Sequence, residues 1–150
     1  IHMLQIWTIF LSLFITLSLE TFIYMFLNPK SIKLFLSASG INLISNFLMN
    51  IILLSISNIT VWYVVFVIWE IATVFIESAI ISLINKFNYW KTLLFAFFGN
   101  MLSLIVGLSL WPIENQKTTV IILTIVFAIL YIVETIIYSL LHLLKNLKES

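Results

Sequence analysis

The chain has 150 residues, of which 63% are hydrophobic and 9% are charged, whereas soluble domains are about 45–50% apolar and about 25% charged. A formal net charge of +1 provides no field that would attract an acidic partner. The absence of cysteine excludes disulfides and thiolate chemistry. These values exclude a soluble enzyme, a nucleic-acid-binding protein and a disordered segment, and they predict a protein whose main partner is the lipid bilayer.

Five apolar stretches are long enough for membrane-spanning helices, which need about 20 residues each. They cover approximately residues 4–27, 34–56, 61–84, 93–111 and 119–144. The segments between them are short, and short connections make neighbouring helices antiparallel. The sequence therefore predicts an all-α, polytopic bundle of five transmembrane helices.

The chain is expected to form one membrane-embedded domain. Ile1 and His2 precede Met3, and we interpret residues 1–2 as the remnant of an expression tag. Residues 3–150 are then the helical domain, and we expect it to lie in the plasma membrane of a prokaryote as a multi-pass integral protein.

The lysines predict the orientation of the helices. Six of the seven fall on one side of a five-helix chain: Lys30, Lys33, Lys86, Lys91, Lys145 and Lys148. By the positive-inside rule, that side is cytoplasmic, so the N-terminus lies outside and the C-terminus inside. Aromatic residues near the helix ends are expected in the interfacial belts, with Trp62 at the outer interface and Tyr24 at the inner one.

The first two helical hairpins carry the same polar pattern. In each hairpin a glutamate precedes a lysine, an asparagine follows the lysine by nine residues, and a serine follows the asparagine by three. The two sets are Glu20, Lys33, Asn42 and Ser45, and Glu77, Lys91, Asn100 and Ser103. The fifth helix begins a third copy with Glu134. These units would be parallel repeats, related by an axis along the membrane normal, although hairpins under shared constraints can also resemble each other by chance. The odd helix leaves a homo-oligomer or another membrane partner open.

Each helix contributes one polar residue at a matched depth. At 1.5 Å per residue, five residues lie about 10–15 Å from the lysine-rich end of their helices: Glu20, Asn42, Glu77, Asn100 and Glu134. An ionised residue at a helix centre costs roughly 2.5–3.5 kcal/mol on insertion scales. The glutamates must therefore face inward and be neutral, hydrogen-bonded or bound to a cation. We predict a ligand-binding layer at this depth.

Secondary polar contacts to this layer are expected from four further residues: Asn46, Glu70, Ser103 and Tyr138. Asn42, Asn46 and Asn50 are spaced by four, so they share one face of the second helix. That stripe is either a path for a solute or a seam between helices. Glu70 lies nearer the midplane, outside the matched layer, and is expected to tolerate replacement by glutamine.

Carboxyl and carboxamide oxygens are ligands for hard cations, and carboxyls also relay protons. The sequence therefore predicts the binding or translocation of a small cation, or of a solute coupled to a cation or proton. The identity of any metal stays open, and no catalytic residue and no cofactor are assigned. Two alternatives remain: a non-catalytic accessory or immunity-type protein whose polar residues join helices or hold a partner, and a lipid-acting enzyme that uses carboxylate acid–base chemistry. Zinc-hydrolase, serine-hydrolase and phosphate-loop motifs are absent from the chain.

Overall fold

The computed structural model describes residues 2–110 and 116–150, and within them it contains five α-helices and no strand. The helices are α1 (His2–Met25), α2 (Ile32–Leu54), α3 (Ile59–Asn85), α4 (Tyr89–Leu110) and α5 (Lys117–Glu149). All five are long and apolar enough to cross a membrane, which confirms the predicted all-α class and helix number. The expected end of the fourth span at Trp111 lies outside the described residues.

Local hydrogen bonds begin and end the central helices. Ser31 is extended at φ −94°, and its hydroxyl accepts a hydrogen bond from the Leu34 amide at 3.1 Å, which caps α2. Asn58 caps α3 in the same way, with its side-chain oxygen accepting from two amides in the first turn. Lys86 ends α3 in the left-handed region at φ 56°. These caps keep the connections short, so consecutive helices return directly alongside each other.

Four helices form a ring, and the fifth lies outside it. Among the described residues, α1 contacts both α2 and α4, and α3 contacts the same two helices. Helix α5 packs against α1 and touches α2. We call the end that carries the α1–α2 connection, the α3–α4 connection and the end of α5 the lysine end. There, the imidazole of His142 on α5 hydrogen-bonds to the Lys30 carbonyl oxygen at 3.0 Å.

An apolar core fills the ring at the lysine end. Tyr24, Leu34 and Ile81 have no exposed surface, and they belong to one cluster with Phe35. The Phe35 ring stacks on Tyr131 of α5 with centroids 5.8 Å apart, which joins the outer helix to the core. We call this cluster the lysine-end core. It closes the space between the ring helices on this side.

The outer surface of the bundle is apolar. Large aliphatic and aromatic side chains are exposed on all five helices, and Leu83 reaches 78% exposure. Soluble monomers rarely expose contiguous apolar patches larger than a few hundred Å². This surface is therefore suited to lipid chains, in agreement with a multi-pass membrane protein.

Candidate functional site

The ring of α1–α4 encloses a cavity of about 530 Å³, which we call the central cavity. Toward the end opposite the lysines it reaches the outermost helix turns, where Thr8, Leu53, Trp62 and Leu110 line it. Toward the lysine end it stops at the level of Glu20. Its volume falls in the range of about 300–1,000 Å³ that is typical of small-molecule sites in proteins.

The closed end of the central cavity is polar. Each ring helix contributes one side chain at this level, and we call the four of them the floor: Glu20, Ser45, Glu77 and Asn100. Beyond the floor, the lysine-end core fills the space between the helices. Three of the five residues of the polar layer predicted by counting depth along the sequence therefore lie on the floor, whereas Asn42 and Glu134 do not line the cavity.

Glu20 is only partly hydrogen-bonded. Its side chain is 3% exposed, and Oε1 accepts a hydrogen bond from Ser103 Oγ at 2.6 Å. The second oxygen, Oε2, is buried and has no hydrogen-bond partner among the described residues. A buried polar atom without a partner costs about 1–3 kcal/mol. Oε2 is therefore a carboxyl oxygen whose hydrogen bonding the described residues leave incomplete.

Glu77 is held from three sides. Ser45 Oγ donates to Oε1 at 2.7 Å, and the Tyr24 hydroxyl donates to Oε2 at 3.3 Å. The Asn100 side chain lies beside the same carboxyl group. Glu77 itself is 2% exposed. Its position is therefore defined by α1, α2 and α4 together, which makes it sensitive to the relative placement of all ring helices.

The two glutamate–serine hydrogen bonds connect the two hairpins reciprocally. Glu20 of the first hairpin accepts from Ser103 of the second, and Glu77 of the second accepts from Ser45 of the first. Both contacts join the hairpin of α1 and α2 to the hairpin of α3 and α4. The floor is consequently built at the interface between the hairpins.

The asparagine stripe on α2 forms a seam with α1. Asn42 Nδ2 lies 3.5 Å from Thr21 Oγ1, and Asn46 Nδ2 donates to Thr16 Oγ1 at 3.0 Å. Asn50 Nδ2 in turn donates to Asn46 Oδ1 at 2.9 Å. Asn46 and Asn50 also line the central cavity, whereas Asn42 does not. The stripe thus joins two helices and presents part of its polar surface to the cavity.

A third carboxyl group and several aromatic side chains line the central cavity farther from the lysine end than the floor. Glu70 lines the central cavity two helical turns from Glu77, although the sequence places it outside the predicted layer. Trp62, Phe66 and Trp69 line the same wall on α3, with the rings of Trp62 and Phe66 stacked at 5.4 Å. These aromatic residues are spaced by four and by three, which places them on one face of the helix. From the sequence we expect Trp62 at the outer membrane interface, an expectation that does not use this spacing.

Three further residues lie away from the positions that the sequence suggested. Glu134 lies on α5, outside the ring, and does not line the central cavity, although its Oε2, like that of Glu20, is buried without a hydrogen-bond partner among the described residues. Tyr138 packs in the lysine-end core, also away from the cavity. Tyr24, expected at the membrane interface, is completely buried and donates to Glu77. Depth along a helix does not distinguish an inner helix from an outer one.

The central cavity carries acidic groups without a basic counterpart. Glu20, Glu70 and Glu77 line it, and no lysine does in the part of the chain that the structure describes. The ion pair found in the described part of the chain joins Lys145 and Glu149 at the end of α5, at 3.9 Å. A cation bound in the cavity would therefore supply the positive charge that the lining residues lack.

The three carboxyl groups are distributed along the cavity rather than gathered at one point. Among residues 2–110 and 116–150, no group of three or more His, Cys, Asp or Glu side chains is placed to hold a metal ion. A cation here would meet one or two carboxyl groups together with hydroxyls and aromatic faces, which also attract cations.

Comparison of the chain with known protein families, with curated proteins and with solved structures gives no match.

Proposed function

We propose that this protein binds or translocates a small cation, or a solute coupled to a cation or proton, at the floor of the central cavity. The observation that carries the proposal is Glu20 Oε2, a buried carboxyl oxygen that has no partner among the described residues and lies at the end of a cavity lined by two more carboxyl groups. A charged group in a low-dielectric site is stabilised by a counter-charge. A cation that enters the cavity supplies this counter-charge.

The proposed orientation determines the side of the membrane to which the central cavity opens. With the lysine end in the cytoplasm of a prokaryotic cell, the central cavity reaches toward the outside and is closed toward the inside by the lysine-end core. This arrangement corresponds to one of the two states that an alternating-access transporter adopts, with its site near the middle of the membrane. It equally suits a receptor that samples the external medium.

We also propose that the two hairpins arose by duplication. The reciprocal pairs Glu20–Ser103 and Glu77–Ser45 support this, because each links the glutamate of one unit to the serine of the other. Transporter sites commonly lie at the interface between repeats. Glu134 on α5 would be the start of a third unit that remains outside the ring.

The function is tested by the thermal stability of the purified protein in detergent across a panel of chloride salts of monovalent, divalent and small organic cations. A ligand present at 100 times its Kd stabilises the folded state by about 2.7 kcal/mol. We expect one class of cation to raise the unfolding temperature at matched ionic strength. A response that is equal for all salts contradicts the proposal and favours the accessory protein, whose polar residues only join helices.

The orientation is tested by cysteine labelling, for which the chain has no native thiol. Ser57, between α2 and α3, and Ser150 are both exposed. We expect Ser57→Cys to react with a membrane-impermeant maleimide added to intact cells, and Ser150→Cys to react only after permeabilisation. The cysteine-free parent protein is the blank. Labelling of Ser150→Cys in intact cells would show that the lysine end is outside.

A further inference from the structure

A second cavity of about 600 Å³ lies between α3 and α4. Its lining is almost entirely apolar and includes side chains that face the outside of the bundle, such as Val67, Phe97 and Met101, which are 51%, 51% and 39% exposed. We call it the α3–α4 groove. In a membrane, this groove faces the lipid, and a hydrocarbon chain is the chemistry that matches its walls.

The groove and the central cavity have four lining side chains in common. Phe66 and Glu70 on α3, and Asn100 and Leu104 on α4, line both spaces. Two of them, Glu70 and Asn100, are the polar residues of the groove. A carboxyl-bearing and an amide-bearing residue therefore belong to the set of side chains that lies between the apolar groove and the central cavity.

The size and lining of the central cavity fit an organic cation. Its volume of about 530 Å³ lies in the range that accommodates small organic molecules and greatly exceeds the space that a bare metal ion fills. Trp62, Phe66 and Trp69 add aromatic faces, and an ammonium group within about 6 Å of such a face is attracted to it. Carboxyl groups and aromatic rings together are the recognition chemistry of substituted ammonium ions.

We propose that the ligand is an amphiphilic organic cation, with its ammonium head beside one or two of the carboxyl groups that line the central cavity and its alkyl chain in the α3–α4 groove. The inference rests on the proposed function, since it names the cation that the floor binds. The chain passes between Phe66 and Leu104, and the ligand enters laterally from the lipid. Charge complementarity selects the head, and the path proposed for the chain lies at the four side chains that line both spaces.

The experiment uses the full-length protein in nanodiscs of zwitterionic lipid, with tetramethylammonium and decyltrimethylammonium as probes. Binding is measured by equilibrium dialysis, and binding to empty nanodiscs is subtracted. We expect decyltrimethylammonium to bind at least tenfold more tightly than tetramethylammonium. Val67→Trp and Met101→Trp fill the groove from its exposed side, and each should remove this advantage while tetramethylammonium binding stays within threefold of the parent value.

Leu130→Trp is the matched control. Leu130 lies on α5, is 45% exposed and belongs to neither cavity, so this variant should bind both probes as the parent does. Because all variants share one bilayer, partitioning of the probe into lipid cancels in the comparison. Two groove variants are used so that a folding defect in one of them leaves the other to decide.

The outcomes separate this inference from the proposed function. If Val67→Trp and Met101→Trp bind decyltrimethylammonium as tightly as the parent protein, the groove does not hold the chain and the inference fails. If an inorganic cation stabilises the protein but neither ammonium ion binds, the inference fails and the proposed function stands. If no cation of any kind binds or stabilises the protein, both fail.

Discussion

Replacing Glu20 or Glu77 by glutamine is expected to weaken cation binding by about 10- to 100-fold while the protein stays folded. A hydrogen bond to a charged group contributes about 1.5–3 kcal/mol, and each 1.4 kcal/mol is a factor of ten in affinity. Glutamine keeps the shape of the side chain and an oxygen that can accept from Ser103 or Ser45, but it removes the negative charge. The measurement is the cation-dependent shift of the unfolding temperature in detergent.

Glu134→Gln is the matched control for this series. Glu134 lies at the same depth on a membrane-spanning helix, but α5 keeps it outside the central cavity, so its replacement should leave the cation response intact. Glu70, which sequence reasoning expects to be tolerant, lines the cavity, and Glu70→Gln should therefore weaken the response. Equal tolerance at Glu20, Glu77 and Glu134 in folded protein would remove the carboxyl groups from the proposed function and leave an assembly role.

Gly99→Leu is expected to destabilise the protein by about 1–3 kcal/mol or more and to abolish the cation response. Even an ideal Cβ at Gly99 would lie 3.4 Å from the Cα of Glu20 and 3.6 Å from its Cβ and Cγ. The Cβ itself would then be in van der Waals contact with α1, so the further atoms of a leucine would crowd this contact, and overpacking costs about 1–3 kcal/mol. Separation of α4 from α1 would also withdraw Ser103 from Glu20. Thermal unfolding in detergent, with and without the cation, measures both effects.

Gly40→Leu is the control for the size of the side chain. Gly40 lies on α2 close to Asn42, as Gly99 lies on α4 next to Asn100, but a Cβ at Gly40 has no other atom within 4 Å. We expect Gly40→Leu to unfold at nearly the same temperature as the parent protein. If both variants lose the same stability, the close contact of Gly99 with Glu20 has no special energetic role.

The number of helices and the depth of the polar residues were accessible from the sequence alone. A membrane-spanning helix needs about 20 apolar residues, so run length is a local property that the chain carries directly. Depth is equally local, because each residue advances the helix by 1.5 Å. For this reason Glu20, Glu77 and Asn100, assigned to one level by counting, lie together on the floor of the central cavity.

The order of the helices around the ring was decided only by tertiary structure. Glu134 has the same depth as Glu20, yet α5 packs outside the ring, while Glu70 enters the cavity because its face of α3 turns inward. Tyr24 reads as an interfacial residue in the sequence and is a buried donor to Glu77 in the structure. The physical reason is that apolar residues surround nearly the whole circumference of these helices. The hydrophobic pattern, which in soluble helices marks the buried face, therefore does not distinguish lipid from protein, and packing between neighbouring helices selects the inner face.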